Sequence, residues 1–288
     1  MGSHHLACEE KHMVEAVGQQ QTVPPSIPLA FVTGASSGIG ASFARQLAQR
    51  GYNLIVLARR ADRLKALGDE LQHTFGIHTE MVVADLATAE GISRAVAVAS
   101  SNDLDLVVNN AGFGGYSRFV DADPAVLEAL VSVHILAPLH ITRAALPRML
   151  QRDKGAVINV ASILALSGPV PPRPGMPFRS TYSATKAFLL TFTQALAHEL
   201  QGTGVRVQAC LPGLTATEFH LVQGIDVGST TDRMDPDDVA RASLKALETG
   251  ELVCVPGLED RSLLVRLEEI QQAVLAGSRN SRLASRYL

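Results

Sequence analysis

Short apolar runs rich in β-branched residues recur along the chain, at Leu29 to Thr33, Leu54 to Leu57, Met81 to Val83, Leu106 to Val108, Ala156 to Val160, Val205 to Ala209 and Leu252 to Val255. Runs that are apolar on both faces suit the buried strands of a parallel sheet. Between them lie longer stretches whose apolar residues return at helical spacing. In Ala41 to Arg50, Phe43, Ala44 and Leu47 share one face, and Gly51 stops the helix. The alternation is a βαβ rhythm and predicts an α/β fold, one doubly wound parallel sheet with helices on both faces. No repeat, low-complexity tract or linker divides the rest of the 288-residue chain, so residues 28–288 are expected to form a single domain.

The first 27 residues break this pattern. Met1-Gly-Ser-His-His5 has the form of an expression-tag scar, and the Gln-rich and Pro-rich stretch after it has no period, so 1–27 reads as a disordered tail. It has no apolar signal core, and Leu6 stands where an N-myristoylation signal needs Ser or Thr. A net charge of -3 and 47% hydrophobic residues leave no basic stripe for nucleic acid, and no apolar run is read as long enough to cross a bilayer. Cys8, Cys210 and Cys254 lack metal-ligand spacing. They read as reduced thiols, with no metal and a cytoplasmic location expected.

Candidate chemistry concentrates at Tyr182-Ser-Ala-Thr-Lys186. Residues four apart share a helix face, which sets an ammonium one turn from a phenol. A free phenol titrates near ~10, so bringing it to neutrality takes about 4 kcal/mol. One ammonium about 4 Å away at an effective dielectric of about 20 supplies roughly that much. Tyr182 is therefore expected to exchange a proton with a substrate oxygen at physiological pH. The alternative is a helix that carries both residues by chance.

A second candidate lies upstream. The run Leu29 to Thr33 feeds directly into Gly34-Ala-Ser36-Ser37-Gly38-Ile39-Gly40, and a helix follows. Strand, glycine turn and helix in that order can cradle a pyrophosphate, because glycines permit close approach and the helix start offers unpaired N–H groups. An ordinary turn is the other reading.

With these residues in hand the chain resembles the short-chain dehydrogenase/reductases, whose motifs occur in the family's order. They are Thr33-Gly-x-x-x-Gly-x-Gly40, Asn109-Asn110-Ala111-Gly112, the Ser of Ile158-Asn-Val-Ala-Ser162, Tyr182-x-x-x-Lys186, and Pro212-Gly213 with Thr217. The resemblance spans about residues 28 to 258. It implies a Rossmann-type domain that moves a hydride between a nicotinamide cofactor and a small-molecule carbonyl or alcohol. It also implies a homodimer or homotetramer.

Charge bears on the choice of cofactor. Where an NAD enzyme places an acidic residue after the second strand, this chain reads Ala58-Arg59-Arg60. Cations at a helix start oppose the macrodipole, which suggests a ligand such as a 2′-phosphate. NADP(H) is expected, with Arg59 the first contact and Arg60 the second. The resemblance further implies that Asp85 faces the adenine, that Asn109 to Gly112 shape the ribose site and that Thr217, ahead of Thr215, lies near the nicotinamide carboxamide. Asp85 as an ordinary N-cap stays open. By the same resemblance Tyr182 passes the proton, Ser162 holds the substrate oxygen, and Lys186 lowers the Tyr182 pKa and binds the ribose hydroxyls.

Two departures from the family pattern matter. Where the family has an Asn that holds a relay water, the helix reads Val131-Ser-Val-His134-Ile-Leu-Ala-Pro138, so His134 either fills that role or is a core histidine. The interval from Ser162 to Tyr182 is also long. Its surplus, Ser167 to Arg179, is Pro-rich and reads as a substrate wall using Met176, Phe178, Arg173 or Arg179, or as a solvated insertion. The resemblance implies that the segment from Phe219 through His220, Leu221, Val222 and Ile225 forms a mobile lid. The stripe Leu263, Leu267, Ile270 and Val274 is either core or an intersubunit seam. A binding protein that keeps the cradle and has lost efficient chemistry, acting as a sensor or scaffold, is the competing function.

Overall fold

A computed structural model describes residues 27–171, 178–219 and 233–288. Among the described residues the apolar runs become seven parallel strands: β1 (Leu29–Thr33), β2 (Asn53–Ala58), β3 (Thr79–Val83), β4 (Leu106–Asn109), β5 (Gly155–Val160), β6 (Val205–Cys210) and β7 (Val253–Cys254). Their order in the sheet is β3-β2-β1-β4-β5-β6-β7. The helices are α1 (Gly38–Gln49), α2 (Ala61–Phe75), α3 (Ala89–Ser101), α4 (Pro124–Val131), α5 (Ala137–Gln151), α6 (Ser180–Glu199), α7 (Pro236–Glu248) and α8 (Ser262–Ser278).

The period-two geometry of a strand explains the two core layers. Val32, Val56 and Ile158 point to one face, where they meet Phe43 and Leu47 of α1, Leu64 and Leu71 of α2, and Val239 and Leu244 of α7. Phe31, Ile55, Val107 and Val157 point to the other and pack on α3, Ile141 and Met149 of α5, and Leu196 of α6. Each fully buried Leu or Phe contributes about 1.5–3 kcal/mol, and it is this two-sided burial that makes the runs continuous rather than alternating. The strand order reverses direction between β1 and β4, so a crevice opens at their carboxyl ends, where ligands bind in open α/β sheets.

Residues Ser132–Leu136 form one π-helical turn between α4 and α5. Pro138 explains it. Proline lacks the N–H that would bond to the His134 carbonyl and its ring crowds that oxygen, so the turn widens. Helix 124–151 is long and apolar enough to cross a membrane by length and composition, contrary to the expectation from the sequence. One face of it packs on the sheet and α3, burying Val133, Ala137, Ile141, Ala145 and Met149, while Val126, Val131, Leu136 and Leu150 are exposed. The α8 stripe is not core: no residue of α8 is buried, and Ile270 and Val274 are exposed.

Candidate functional site

The glycine turn is shaped by what packs on it. Gly34 and Gly38 have φ of +68° and +53°, where side chains are strained. A Cβ at Gly40 would lie 2.3 Å from the Gly34 oxygen and 2.4 Å from Asn110 Nδ2, and one at Gly38 would meet Thr217 Cγ2 at 2.8 Å. Asn110 holds the turn in place. Its side-chain amide donates to the carbonyl oxygens of Thr33 (2.9 Å) and Gly34 (3.3 Å), while the backbone N–H groups of Asn110 and Ala111 donate to Thr33 Oγ1. Ser37 stands at the N-cap of α1 and gives the helix no side-chain cap. Its hydroxyl instead accepts from Arg60 Nη2 at 2.8 Å, and Ser36 Oγ accepts from Arg60 Nε and Nη2.

Of the arginine pair, then, it is Arg60 that turns to the glycine loop. Arg59 is exposed and has no hydrogen bond or ion pair among the described residues. Asp85 is not the N-cap of α3. Thr88 is, accepting from Gly91 N–H at 3.0 Å, while Asp85 Oδ1 accepts from Ala87 N–H in the turn before it.

The Tyr182 side of the site lies on α6, beyond the end of β5. Tyr182, Lys186, His134 and Ser162 are all buried, at 5%, 4%, 1% and 8% exposure. Ser162 Oγ accepts from Leu164 N–H at 3.2 Å and lies near enough to the Tyr182 phenol to act on its titration. Lys186 Nζ donates to the Val160 carbonyl oxygen at 2.9 Å and lies 5.8 Å from the Tyr182 ring centre. Burial first, and Tyr116 second, push the Tyr182 phenol above its ordinary value; the Ser162 hydrogen bond opposes them. Burial lowers Lys186 to about 8. The expectation that Lys186 makes Tyr182 acidic is not met here, because desolvation outweighs an ammonium occupied elsewhere.

His134 sits in the π turn with both ring nitrogens engaged. Nε2 accepts the Phe113 backbone N–H at 3.1 Å, and Nδ1 lies 3.0 Å from Thr185 Oγ1. The Thr185 hydroxyl gives its proton to the Tyr182 carbonyl (2.8 Å), so Nδ1 carries the imidazole proton. Burial, and then the Lys186 charge, hold His134 well below the usual histidine range, hence neutral. A Cβ at Gly112 would crowd His134 Nε2 at 3.1 Å and touch Lys186 Nζ at 3.6 Å.

Aromatic rings surround the phenol. Tyr116, His134 and Phe219 meet the Tyr182 ring edge-on at 5.5, 5.5 and 5.9 Å. Burial raises Tyr116 to about 12, and the Arg179 charge opposes that rise. Phe178 is exposed, whereas Arg173 and Met176 lie outside the described residues, as do the expected lid residues His220, Leu221, Val222 and Ile225. Pro212 accepts the Ile163 N–H at 2.9 Å, which ties the Pro212-Gly213 loop to the Ser162 turn. Thr215 is buried, its hydroxyl donating to the Gly213 oxygen, and Thr217 faces Gly38.

A family model described as short chain dehydrogenase matches residues 28–223. The chain belongs to the short-chain dehydrogenases. The relatives of this short-chain dehydrogenase include very-long-chain 3-oxoacyl-CoA reductase of Rattus norvegicus, 29% identical over 240 residues, covering 81% of this chain and 73% of the relative. An uncharacterized oxidoreductase of Staphylococcus saprophyticus is 34% identical over 223 residues, 76% of this chain and 91% of that one. Among solved structures, a short-chain dehydrogenase from Sphingobium yanoikuyae in complex with NADPH superposes with a TM-score of 0.84 at 33% identity, covering 91% of this chain and all (100%) of the other. The bulky-bulky ketone specific alcohol dehydrogenase from Comamonas testosteroni gives 0.82 at 29% identity, covering 92% and 100%. The family is one of oxidoreductases that use a nicotinamide cofactor.

Sequence reasoning missed five residues of this short-chain dehydrogenase's site: Arg63, Phe113, Tyr116, Thr185 and Glu218. Tyr116 carried a usable signal, since it closely follows Gly112 at the ligand end of β4. Glu218 carried none, because its partners Arg60 and Arg63 lie more than 150 residues away.

Proposed function

We propose that this protein is an NADP(H)-dependent oxidoreductase that moves a hydride between the nicotinamide and a carbonyl or alcohol carbon, with Tyr182 as general acid and base. The observation that carries it is the buried Tyr182 side chain, one helical turn from Lys186, near Ser162 and ringed by Tyr116, His134 and Phe219. A dinucleotide fits the residues present. The glycine turn has no room for a Cβ, α1 begins without a side-chain cap, and Arg60 and Arg63 already hold an anion, the Glu218 carboxylate. Gly34, Ser36, Ser37, Gly38, Ile39, Gly40, Arg60 and Asn110 to Gly112 would hold the adenosine half; Tyr182, Lys186, Pro212, Gly213 and Thr217 would hold the nicotinamide half.

When bound, the nicotinamide supplies or accepts the hydride. The chain's own residues do the rest. Tyr182, protonated because it is buried, gives its proton to the developing alkoxide, and Ser162 donates a hydrogen bond to the same oxygen. Lys186, charged below about 8, stabilises the phenolate left behind. His134, neutral and fixed, positions Phe113 and the Tyr182 turn of α6. Tyr116 and Phe219 exclude water, and Arg179 offers a charge to an anionic substituent. The names of the relatives, a 3-oxoacyl-CoA reductase and a bulky-ketone alcohol dehydrogenase, support a large apolar carbonyl substrate.

The test is NADPH consumption over a panel of ketones, aldehydes, diketones and acyl thioesters, with Tyr182→Phe alongside. Turnover that falls about 10²- to 10⁴-fold in the variant supports the proposal. Wild-type turnover no faster than the variant's across the panel, with NADPH still bound, favours a sensor or scaffold instead.

A further inference from the structure

Two arginines, two serine hydroxyls and one carboxylate meet beside the glycine turn. Arg63 Nη1 donates to both Glu218 oxygens at 2.8 and 2.7 Å, and Arg60 Nη1 donates to Oε2 at 3.0 Å. Arg60 reaches Ser36 and Ser37 with its remaining N–H groups. The two guanidiniums hold the Glu218 carboxyl below the usual carboxylate range, Arg63 first. Phosphate is the other anion such a set accepts: it has three acceptor oxygens and about −1.5 to −2 charge against the carboxylate's two oxygens and single charge.

We propose that Glu218 is a cofactor-specificity residue, an internal carboxylate that competes with the ribose 2′-phosphate for Arg60 and Arg63. The inference rests on the NADP(H) reading above. A dinucleotide without the 2′-phosphate leaves the Glu218 ion pairs intact. One that carries it must displace them, so Glu218 lowers the preference for NADP(H) that the arginines create. The pairs are partly exposed, with 42% of the Glu218 side chain accessible, so the competition is moderate and fades with salt. Glu218 also stands between Thr217, which packs on Gly38, and Phe219, which packs on Tyr182, so the exchange is felt at both halves of the site.

The experiment is calorimetric titration of the full chain with 2′,5′-ADP and with 5′-AMP at low ionic strength, for wild type, Glu218→Gln and Glu218→Ala. The expected result is roughly a three- to tenfold tightening of 2′,5′-ADP in both variants, with 5′-AMP unchanged and the gain shrinking in high salt. If wild type prefers 2′,5′-ADP and the variants bind it no more tightly, Glu218 does not compete and the inference falls while the cofactor reading stands. If wild type shows no preference and the variants acquire one, the competition stands and the cofactor reading of the native enzyme falls. No preference in any of the three overturns both.

Discussion

Lys186 gives its ammonium to the carbonyl oxygen of Val160 at 2.9 Å and not to the Tyr182 phenol. At 5.8 Å from the ring centre, a charge in an effective dielectric of about 20 is worth roughly 3 kcal/mol, whereas full burial moves a pKa by up to about 3–5 units, or roughly 4–7 kcal/mol. Desolvation wins, and the resting phenol is protonated. On the proposed mechanism Tyr182 is thus set to donate. Ultraviolet titration of the tyrosines should therefore lose no phenolate signal below about pH 10 when Tyr182 is changed to Phe. A component near neutrality that disappears in that variant would restore the acidic-phenol picture.

Lys186 also ties stability to pH. Its folded value of about 8 lies below the ordinary 10.5, so between those values the unfolded chain binds more protons and this group's contribution to stability rises with pH. Below about 8 the buried ammonium is a constant penalty. Lys186→Met should therefore gain stability relative to wild type at pH 7, and the gain should disappear toward pH 10.5, a difference of up to roughly 3 kcal/mol. Urea midpoints at the two pH values check it; a gain independent of pH would mean that burial does not shift the lysine pKa.

His134 couples two segments that the mechanism needs. With Nε2 on Phe113 N–H and Nδ1–H on Thr185, neither nitrogen is left to pass a proton. His134→Ala should slow turnover about tenfold or more through misplacement, with NADPH affinity unchanged. The wild-type kcat profile should show no limb near pH 6.5. A limb there that vanishes on substitution would make His134 a relay.

Arg60, not Arg59, contacts the glycine loop. Arg60→Ala should weaken NADPH about tenfold to a hundredfold with little change for NADH, from loss of charge-assisted bonds worth about 1.5–3 kcal/mol, and Arg59→Ala should do much less. Equal losses in the two variants would contradict this geometry.

The fold was legible wherever periodicity carried it. Leu29 to Thr33 is β1 to the residue, and Val205 to Ala209 is β6 short of Cys210, because strands buried on both faces announce themselves as apolar runs. Orientation at element ends was not legible: Arg59 and Arg60 both follow β2, and only the backbone decides which meets Ser36. Capping competition hid Thr88 behind Asp85. The α8 stripe has helical period without the contacts that would bury it, since periodicity reports a face and not its partner. In the site, Tyr182 and Lys186 share a face of α6 near Ser162, but burial pushes the Tyr182 phenol up rather than down. Spacing gives distance along a helix and says nothing of burial or of the carbonyl of Val160.

The central claim is hydride transfer to a carbonyl carbon with the proton drawn from Tyr182. The most direct measurement is to supply NADPH carrying deuterium at both nicotinamide C4 positions with the best ketone of the panel and weigh the alcohol formed. One deuterium on the carbinol carbon with wild type, and almost no alcohol with Tyr182→Phe, is the result predicted. Alcohol without deuterium, or deuterated alcohol formed equally fast by the variant, would contradict it.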